Sequence, residues 1–376
     1  MSFKKGIKSF SVTGRLKLTD NTFTIDKQKE GSNYVYSSAN LSLDCGSGNV
    51  FCNLIGGHFL SGNNVIYALG VQEDKDGHKR TAWSKQVVVP YEDRFNEDIL
   101  KTVSNESMTI IAIENDTNNK LINKSFLSKE DAVKYLQATL TDGMVLNVLG
   151  EIVFRVDDNG HTLFNFNIKR IYLNTHENPI LKANFTMSVI TEKDGFDSAQ
   201  EIDENGFVGM DCFVAEYMKN YKGQQKVIAP LPFKFYIDTK LNENWKKIIN
   251  EFFRPSEKYL AETTIEGNIV SVGNTQQVTM EDIPDDIKKL VELGIISKDE
   301  LSNVGANNNS LVQMLVFGRP RIVVSDGKMS VACDKEKYSY NELTELNSKS
   351  EKPNTVLEKE IEEPKIDDDL IKELFG

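Results

Sequence analysis

The chain has 376 residues, of which 39% are hydrophobic and 27% are charged, enough for a packed core and too apolar for wholesale disorder. No apolar run approaches the ~20 residues of a membrane helix. The net charge of −12 argues weakly against a nucleic-acid binder, since such proteins usually display basic faces. From Asn341 onward there are 11 acidic and 5 basic residues, so half of the excess negative charge lies in this last segment and the body can still carry basic grooves.

The residues with reactive side chains form no recognisable catalytic or metal-binding pattern. The cysteines (Cys45, Cys52, Cys212, Cys333) are scattered and the histidines (His58, His78, His161, His176) lack metal spacing. No phosphate loop, GxSxG or HExxH motif occurs. We therefore expect no enzyme activity, no cofactor and no metal. Two lysines near the start precede no apolar signal core, which predicts a cytoplasmic protein.

The first quarter of the chain predicts strands. "FSVTGRLKL" and "NYVYSSANLSLDC" alternate between apolar and polar residues, and "NVFCNLIGG", "NVIYALGV" and "RTAWSKQVVVP" follow at short spacing. Glycine- and asparagine-rich turns separate them. Five short strands in about 90 residues suit a small barrel or sandwich.

A second strand-rich unit follows a helix. "SKEDAVKYLQATL" predicts this helix, with Ser128 and Asp131 at the spacing of a capping box. Further strands follow, then a helix at "NENWKKIINEFF", a helical pair from Ile283, a closing strand at "SLVQMLVFGRPRIVV" and a polar linker after about residue 340. A glycine recurs inside three apolar strands, "FSVTGRLKL", "LNVLGEIVF" and "TTIEGNIVSV", as expected where a barrel strand bends.

Basic and aromatic residues share polar strand faces. On such a face an aromatic ring can stack on an unpaired base while lysine or arginine pairs with phosphate. The candidate residues are Arg15, Lys17, Tyr34, Tyr36, Trp83 and Lys85 in the first unit, and Arg155, Lys169, Arg170 and Tyr172 in the second. The alternative is that the aromatic residues are ordinary cross-strand partners.

The last fourteen residues, "EPKIDDDLIKELFG", combine an acidic run with an apolar end. A tail that serves solubility alone has no need of the apolar residues. A peptide that docks in a basic-rimmed apolar pocket uses both kinds. The candidate partner-binding residues are Asp367, Asp368, Asp369, Leu370, Ile371, Leu374 and Phe375.

The segment "IDDDLIKELFG" resembles the acidic tails, ending in or near phenylalanine, of the single-stranded DNA-binding proteins of bacteria and their phages. The glycine-interrupted strands, the helix at 283–293 and "FGRPRIVV" are also similar to phage-encoded members with tandem OB-like domains. The large size and the Asn/Lys-rich composition favour a phage origin.

This resemblance implies a mainly β protein with tandem OB-like barrels: a first domain at 1–125, a connecting helix at 126–142, a second domain with helical insertions at 143–340 and a flexible acidic tail at 341–376. It implies sequence-nonspecific binding of single-stranded DNA in replication, recombination and repair. The tail would recruit a polymerase, primase or helicase. The alternative is a β-rich phage structural or assembly protein. A nuclease would need a cluster of carboxylates that the sequence does not show.

Overall fold

The computed structural model describes residues 3–348, apart from 29–30, 63, 74–77, 158, 194–201, 204, 274–310 and 326. The helical pair expected from Ile283 and the tail at 363–376 lie outside the described residues. The strands are β1 Lys8–Lys17, β2 Phe23–Gln28, β3 Tyr34–Asp44, β4 Asn49–Phe59, β5 Val65–Glu73, β6 Lys79–Pro90, β7 Thr109–Ala112, β8 Lys124–Phe126, β9 Val145–Val156, β10 Thr162–Leu173, β11 Lys182–Thr191, β12 Phe207–Tyr221, β13 Gln224–Asp238, β14 Tyr259–Gly273, β15 Leu311–Pro320, β16 Ile322–Ser325, β17 Lys328–Val331 and β18 Cys333–Ser339. The helices are α1 Glu97–Leu100, α2 Lys129–Thr139, α3 Trp245–Phe252 and α4 Tyr340–Ser348, and short 3-10 turns occur at Tyr91–Asp93 and Asn105–Ser107.

Five strands close the first barrel, in the order β1, β3, β4, β10, β9 and back to β1. Neighbouring strands are antiparallel except β4 and β10, which run parallel. A parallel pair needs a long crossover, which here contains α2. Every second side chain of a strand points into the barrel and helps to fill its core. On β1, Phe10, Val12 and Leu16 are buried, whereas Ser11, Arg15 and Lys17 are exposed.

The second barrel repeats this arrangement with β11, β12, β13, β15 and β14. Its parallel pair is β13 with β15, and α3 lies between its third and fourth strands in the chain. Both barrels therefore have the strand order and helix position of the OB fold, a five-stranded Greek-key barrel. The prediction of a mainly β protein built from tandem OB-like barrels is confirmed.

A glycine occupies the same place in the fourth strand of each barrel. A Cβ atom added to Gly150 would lie 2.0 Å from the carbonyl oxygen of Asn167, and one added to Gly267 would lie 2.0 Å from that of Val316. Each glycine also faces a phenylalanine of its barrel's first strand, Phe10 or Phe185. No larger residue fits there, so two of the three glycines in the sequence repeat mark equivalent closure points of the barrels.

The predicted domain boundaries are wrong. The first barrel needs β9 and β10 to close, so it extends to Leu173, and α2 is an internal helix of this barrel rather than a connection between domains. Two strands that were assigned to the first barrel, β5 and β6, instead form a separate two-stranded sheet. Barrel closure depends on pairing between distant strands, which alternation within each strand does not reveal.

The start of the expected flexible tail is helical. Helix α4 covers Tyr340–Ser348, and its Leu343 packs in a small core with Phe3 and Tyr338. The backbone N–H of Ser339 donates to Glu342, and the Ser339 hydroxyl accepts from the N–H of Asn341. These contacts form a capping box, the local signal that starts the helix.

The two barrels share an extensive contact. Their first strands, β1 and β11, pair antiparallel from Lys8 to Thr13. Lys8 forms a buried ion pair with Glu216 of β12, and Glu216 also accepts from the N–H of Phe154. Removing either partner of this pair would leave a buried charge uncompensated, so the pair fixes the position of one barrel against the other.

Candidate nucleic-acid interface

A two-stranded insertion, formed by β5 and β6, follows the third strand of the first barrel; we call it the insertion hairpin. Its register jumps from the pair Leu69–Gln86 to the pair Gly70–Ala82, so residues 83–85 have no counterpart on β5. A bulge of this kind re-aims side chains away from the sheet. Gly70 makes room for it, because a Cβ there would lie 3.1 Å from the side chain of Lys85.

The insertion hairpin has a small core of its own, made by Ala68, Val89, Val103, Met108 and Leu127. Backbone bonds add support: the N–H of Val71 donates to Thr102, and that of Ser104 donates to Leu69. The bulge is therefore displayed from a packed base.

A hydrogen-bonded network ties the end of the hairpin to α2. The buried carboxylate of Glu130 accepts from the hydroxyl of Tyr91 at 2.7 Å and from the ammonium of Lys134 at 2.7 Å, and it contacts the His58 ring at 2.8 Å. Arg94 pairs with Asp131 at 2.6 Å. Burial alone raises the pKa of Glu130, but the hydrogen bonds outweigh it and hold the pKa below its usual range.

Two adjoining concavities of about 750 and 510 Å³ lie between the insertion hairpin, the segment after α1 and the first barrel. We call them together the cationic groove. Lys79, Lys101, Val71 and Gln72 line both parts. The groove residues with chemistry for nucleic acid are Lys79, Arg80, Trp83, Lys85, Lys101 and Arg170, against the carboxylates of Glu73 and Glu106.

Two cations of the groove are held by weak pairs. Arg170 lies 3.6 Å from Glu106, and Lys101 lies 2.8 Å from Asp98. Both pairs are exposed, and exposed ion pairs contribute little to stability. These cations can therefore exchange a carboxylate for a phosphate at low cost.

Trp83 is the aromatic residue that lines the groove, and 74% of its surface is accessible. On its other side it borders a concavity of about 430 Å³ together with Tyr67, which is 55% exposed. Sequence reasoning missed Tyr67, although it stands in "NVIYALGV" among apolar residues and points to the face opposite buried Ala68. Trp83 thus lines the groove of five cations and shares its other concavity with Tyr67, and two exposed rings of this kind are suited to stacking unpaired bases.

The predicted role of Tyr36 is wrong. Its side chain is fully buried and its hydroxyl has no hydrogen-bond partner among the described residues. The neighbouring Ser37 and Ser38 are buried too, because β2 pairs with this end of β3 and α2 packs over it. Tyr34 is half-buried against Phe59, with ring centroids 4.9 Å apart, and burial together with Glu130 raises its pKa to about 12.

The other predicted DNA-binding residues separate into two groups. Arg170 lines the cationic groove with Trp83, and Lys85 lines its second part, so the structure brings these three together. The rest border neither part of the groove: Arg15 and Lys17 on β1, Arg155 on β9, and Lys169 and Tyr172 on β10. Lys17 instead pairs with Asp44 at 3.1 Å, and Lys169 is the bulged residue between Ile168 and Arg170.

A separate concavity, the inter-barrel cleft, has a volume of about 560 Å³. Its walls are the β9–β10 loop of the first barrel and the outer face of β12 and β13, the second and third strands of the second barrel. Its aromatic and charged lining comprises His161, Phe164, Glu192, Asp211, Phe213, Phe233, Lys234 and Tyr236. The alternation in "PFKFYI", which places Lys234 and Tyr236 on one face, is the sequence signal that could have located it.

Within the described residues, no group of three or more His, Cys, Asp or Glu side chains could hold a metal ion. None of the helices described is both long and apolar enough to span a bilayer. The partner-binding residues predicted at 367–375 fall outside the described part of the chain.

Comparisons with known proteins gave structural matches alone. No protein-family model and no curated protein sequence matches the chain. A deletion mutant of the single-stranded DNA-binding protein of Thermus aquaticus superposes with a TM-score of 0.34 at 8% identity, over 86% of this chain and 98% of that one. The wild-type protein from the same organism gives 0.29 at 9% identity, over 72% and 87%.

Proposed function

We propose that this protein binds single-stranded DNA without sequence preference, with the cationic groove as its main contact. The observation that carries the proposal is an exposed tryptophan, Trp83, on a supported bulge among five cations at the side of an OB barrel. The strand backbone would lie against the cations and the bases would stack on Trp83 and Tyr67. Since this contact uses base faces rather than base edges, it is insensitive to sequence.

The inter-barrel cleft is the second contact of this proposal. Phe164 and Gln313 line both the cleft and a polar concavity of about 200 Å³ on the outer face of β3 and β4. Strand faces of both barrels therefore meet at these two residues. A strand that passes from one barrel to the other would place bases against Phe213 and Tyr236 and a phosphate against Lys234.

The proposal extends to cellular role. The protein would coat single strands during replication, recombination and repair of DNA, within the cytoplasm of a phage-infected cell. The segment 363–376 would dock on a polymerase, primase or helicase. The docking role rests on the acidic tail and its apolar end, Leu370, Ile371, Leu374 and Phe375. The phage origin rests on the large size and the Asn/Lys-rich composition.

Intrinsic fluorescence tests DNA binding at the proposed place. The chain has two tryptophans: Trp83 is 74% exposed and Trp245 is 9% exposed. Titration with oligo-dT should quench the emission of Trp83 and leave that of Trp245, so the quenching disappears in a Trp83→Phe variant. A duplex of the same length should bind far more weakly, because its bases are already stacked on one another.

Two outcomes would contradict the proposal. Equal affinity for single strands and duplex would show that charge alone drives binding. Absence of binding to either at low salt would remove the function altogether.

A further inference from the structure

A short β-hairpin stands off the second barrel; we call it the arm. It consists of β16 and β17, and backbone bonds anchor it at its base: the N–H of Arg321 donates to Thr264 at 2.8 Å, and the N–H of Thr264 donates to Ala332 at 2.8 Å. Beyond this base its residues are exposed, apart from half-buried Val323. The arm therefore projects into solvent.

One face of the arm is entirely apolar. Ile322 lies opposite Val331, and Val324 lies opposite Met329, so these four side chains form two cross-strand pairs on the same face. Their exposed fractions are 54% for Ile322, 64% for Val324, 80% for Met329 and 37% for Val331. Four adjacent exposed apolar residues on a projecting element mark an interaction surface.

The arm's edges are also available for contact. It pairs with no third strand among the described residues. A two-stranded hairpin is marginally stable in water by itself, and natural proteins protect free edges with charge, proline or a bulge. The stretch Ile322–Ser325 has none of these protections.

We propose that the arm contacts a second copy of this chain that is bound to the same DNA strand; this inference rests on the proposed function. A nucleic acid or an acidic peptide does not fit the arm, whose contact face carries no cation. A second arm does fit it, because two apolar faces related by a two-fold axis are complementary to one another.

The size of the apolar face explains why a shared strand is needed. Four side chains bury far less than the ~800 Å² per partner of a standard interface. Two free copies would therefore associate weakly, and their net charge of −12 opposes the contact. Two copies on one strand experience an effective concentration near the millimolar range, at which a weak contact forms. The arm thus makes DNA binding cooperative.

Paired charge substitutions test the arm. The variant Val324→Asp/Met329→Asp places two charges on the apolar face, and the matched control Ser325→Asp/Ser330→Asp places the same two charges on the opposite face. All four positions are exposed, so both variants should fold. Each is titrated with an oligo-dT that accepts one chain and with one that accepts several.

Wild type and control should bind the long oligonucleotide about tenfold or more tightly per site than the short one. The V324D/M329D variant should bind the short one equally well and lose the gain on the long one. Retention of the full gain in V324D/M329D would overturn the proposal. So would loss of the gain in a chain truncated after Ser348 with an intact arm, since another segment would then make the contact.

Failure of the proposed function is separable from failure of this inference. If wild type does not bind the short oligonucleotide, DNA binding fails, and sedimentation equilibrium of the free protein at several hundred micromolar then tests the arm. Self-association of wild type and control, with a monomeric V324D/M329D variant, supports the contact. Identical behaviour of all three overturns it.

Discussion

The side chain of Trp83 contributes little to the stability of the fold, because 74% of its surface is exposed and it lies in an unpaired bulge. Replacing it with alanine should leave the free energy of unfolding within about 0.5 kcal/mol of wild type. Affinity for oligo-dT should fall by about 5- to 150-fold, the equivalent of ~1–3 kcal/mol for one stacked base.

The matched control for Trp83 is Leu241→Ala, which removes an exposed apolar side chain of 76% accessibility from the loop before α3. It should change neither stability nor affinity, as measured by urea unfolding and fluorescence anisotropy. Native stability with unchanged affinity in Trp83→Ala would mean that bases do not stack at the groove.

Tyr36 has the opposite environment, full burial with an unpartnered hydroxyl among the described residues. A buried hydroxyl without a partner costs about 1–3 kcal/mol, so Tyr36→Phe should be neutral or stabilising. Tyr36→Ala should destabilise by about 3–5 kcal/mol through the cavity it leaves. Urea unfolding separates the two. A destabilised Tyr36→Phe variant would show that the hydroxyl is hydrogen-bonded in solution.

At the scale of elements, α2 connects the barrel to the insertion hairpin through Glu130. The folded-state pKa of Glu130 is lowered, so its contribution to stability is fully present above the unfolded-state value of about 4.5. That contribution is lost as the pH falls through the lower folded-state pKa, where the carboxylate takes up a proton.

Glu130→Gln should therefore destabilise the protein by about 1–3 kcal/mol at pH 7, since three charge-assisted contacts are weakened. The difference from wild type should shrink below pH 4.5. The control Glu92→Gln, at an exposed carboxylate near the same loop, should unfold like wild type throughout. Urea unfolding from pH 3.5 to 7 measures both, and a pH-independent difference would contradict the assigned ionisation.

The elements that sequence patterns predicted well are those whose signal is local. The alternation of Phe10, Val12 and Leu16 predicted β1, and the helix at 128–140 matches α2. The capping box at Ser128 is wrong, because the Ser128 side chain makes no capping bond and Asp131 pairs with Arg94 instead. A tertiary ion pair outcompeted the local motif, and no spacing within α2 could show it.

At the scale of the whole molecule, sequence patterns did not predict which distant strands pair or which residues the fold brings together in the groove. Pairing of β1 with β9 across at least 130 residues closes the first barrel. Trp83 and Arg170 line the same groove because β10 pairs with β7 close to the insertion hairpin. Tyr36 and Trp83 both looked like ring platforms on polar faces. What separates them is whether another element covers the face, and this depends on the complete fold.

The charge distribution is a property of the whole molecule: with a net charge of −12, the chain can bind DNA only through local clusters of cations. Five cations line the cationic groove. If each meets one phosphate, these five contacts should contribute about −3.5 to the slope of the log–log dependence of affinity on salt, at −0.7 per contact. Substituting both Lys79 and Lys101 with glutamine should reduce the slope by about 1.4. An unchanged slope would place the phosphates elsewhere.

The acidic segment at 363–376 should oppose this binding. Asp367, Asp368 and Asp369 can occupy the cationic groove as a mimic of nucleic-acid charge, so a chain ending at residue 362 should bind oligo-dT more tightly than the full chain. The gain should be largest at low salt, where charge competition is least screened. Phe375→Ala is the matched control, because it removes the aromatic side chain of the proposed enzyme contact and keeps every charge. It should bind DNA like wild type and fail to bind the enzyme in a pull-down.

If truncation changes neither DNA affinity at 20 mM salt nor any pull-down of polymerase, primase or helicase, the segment serves solubility alone.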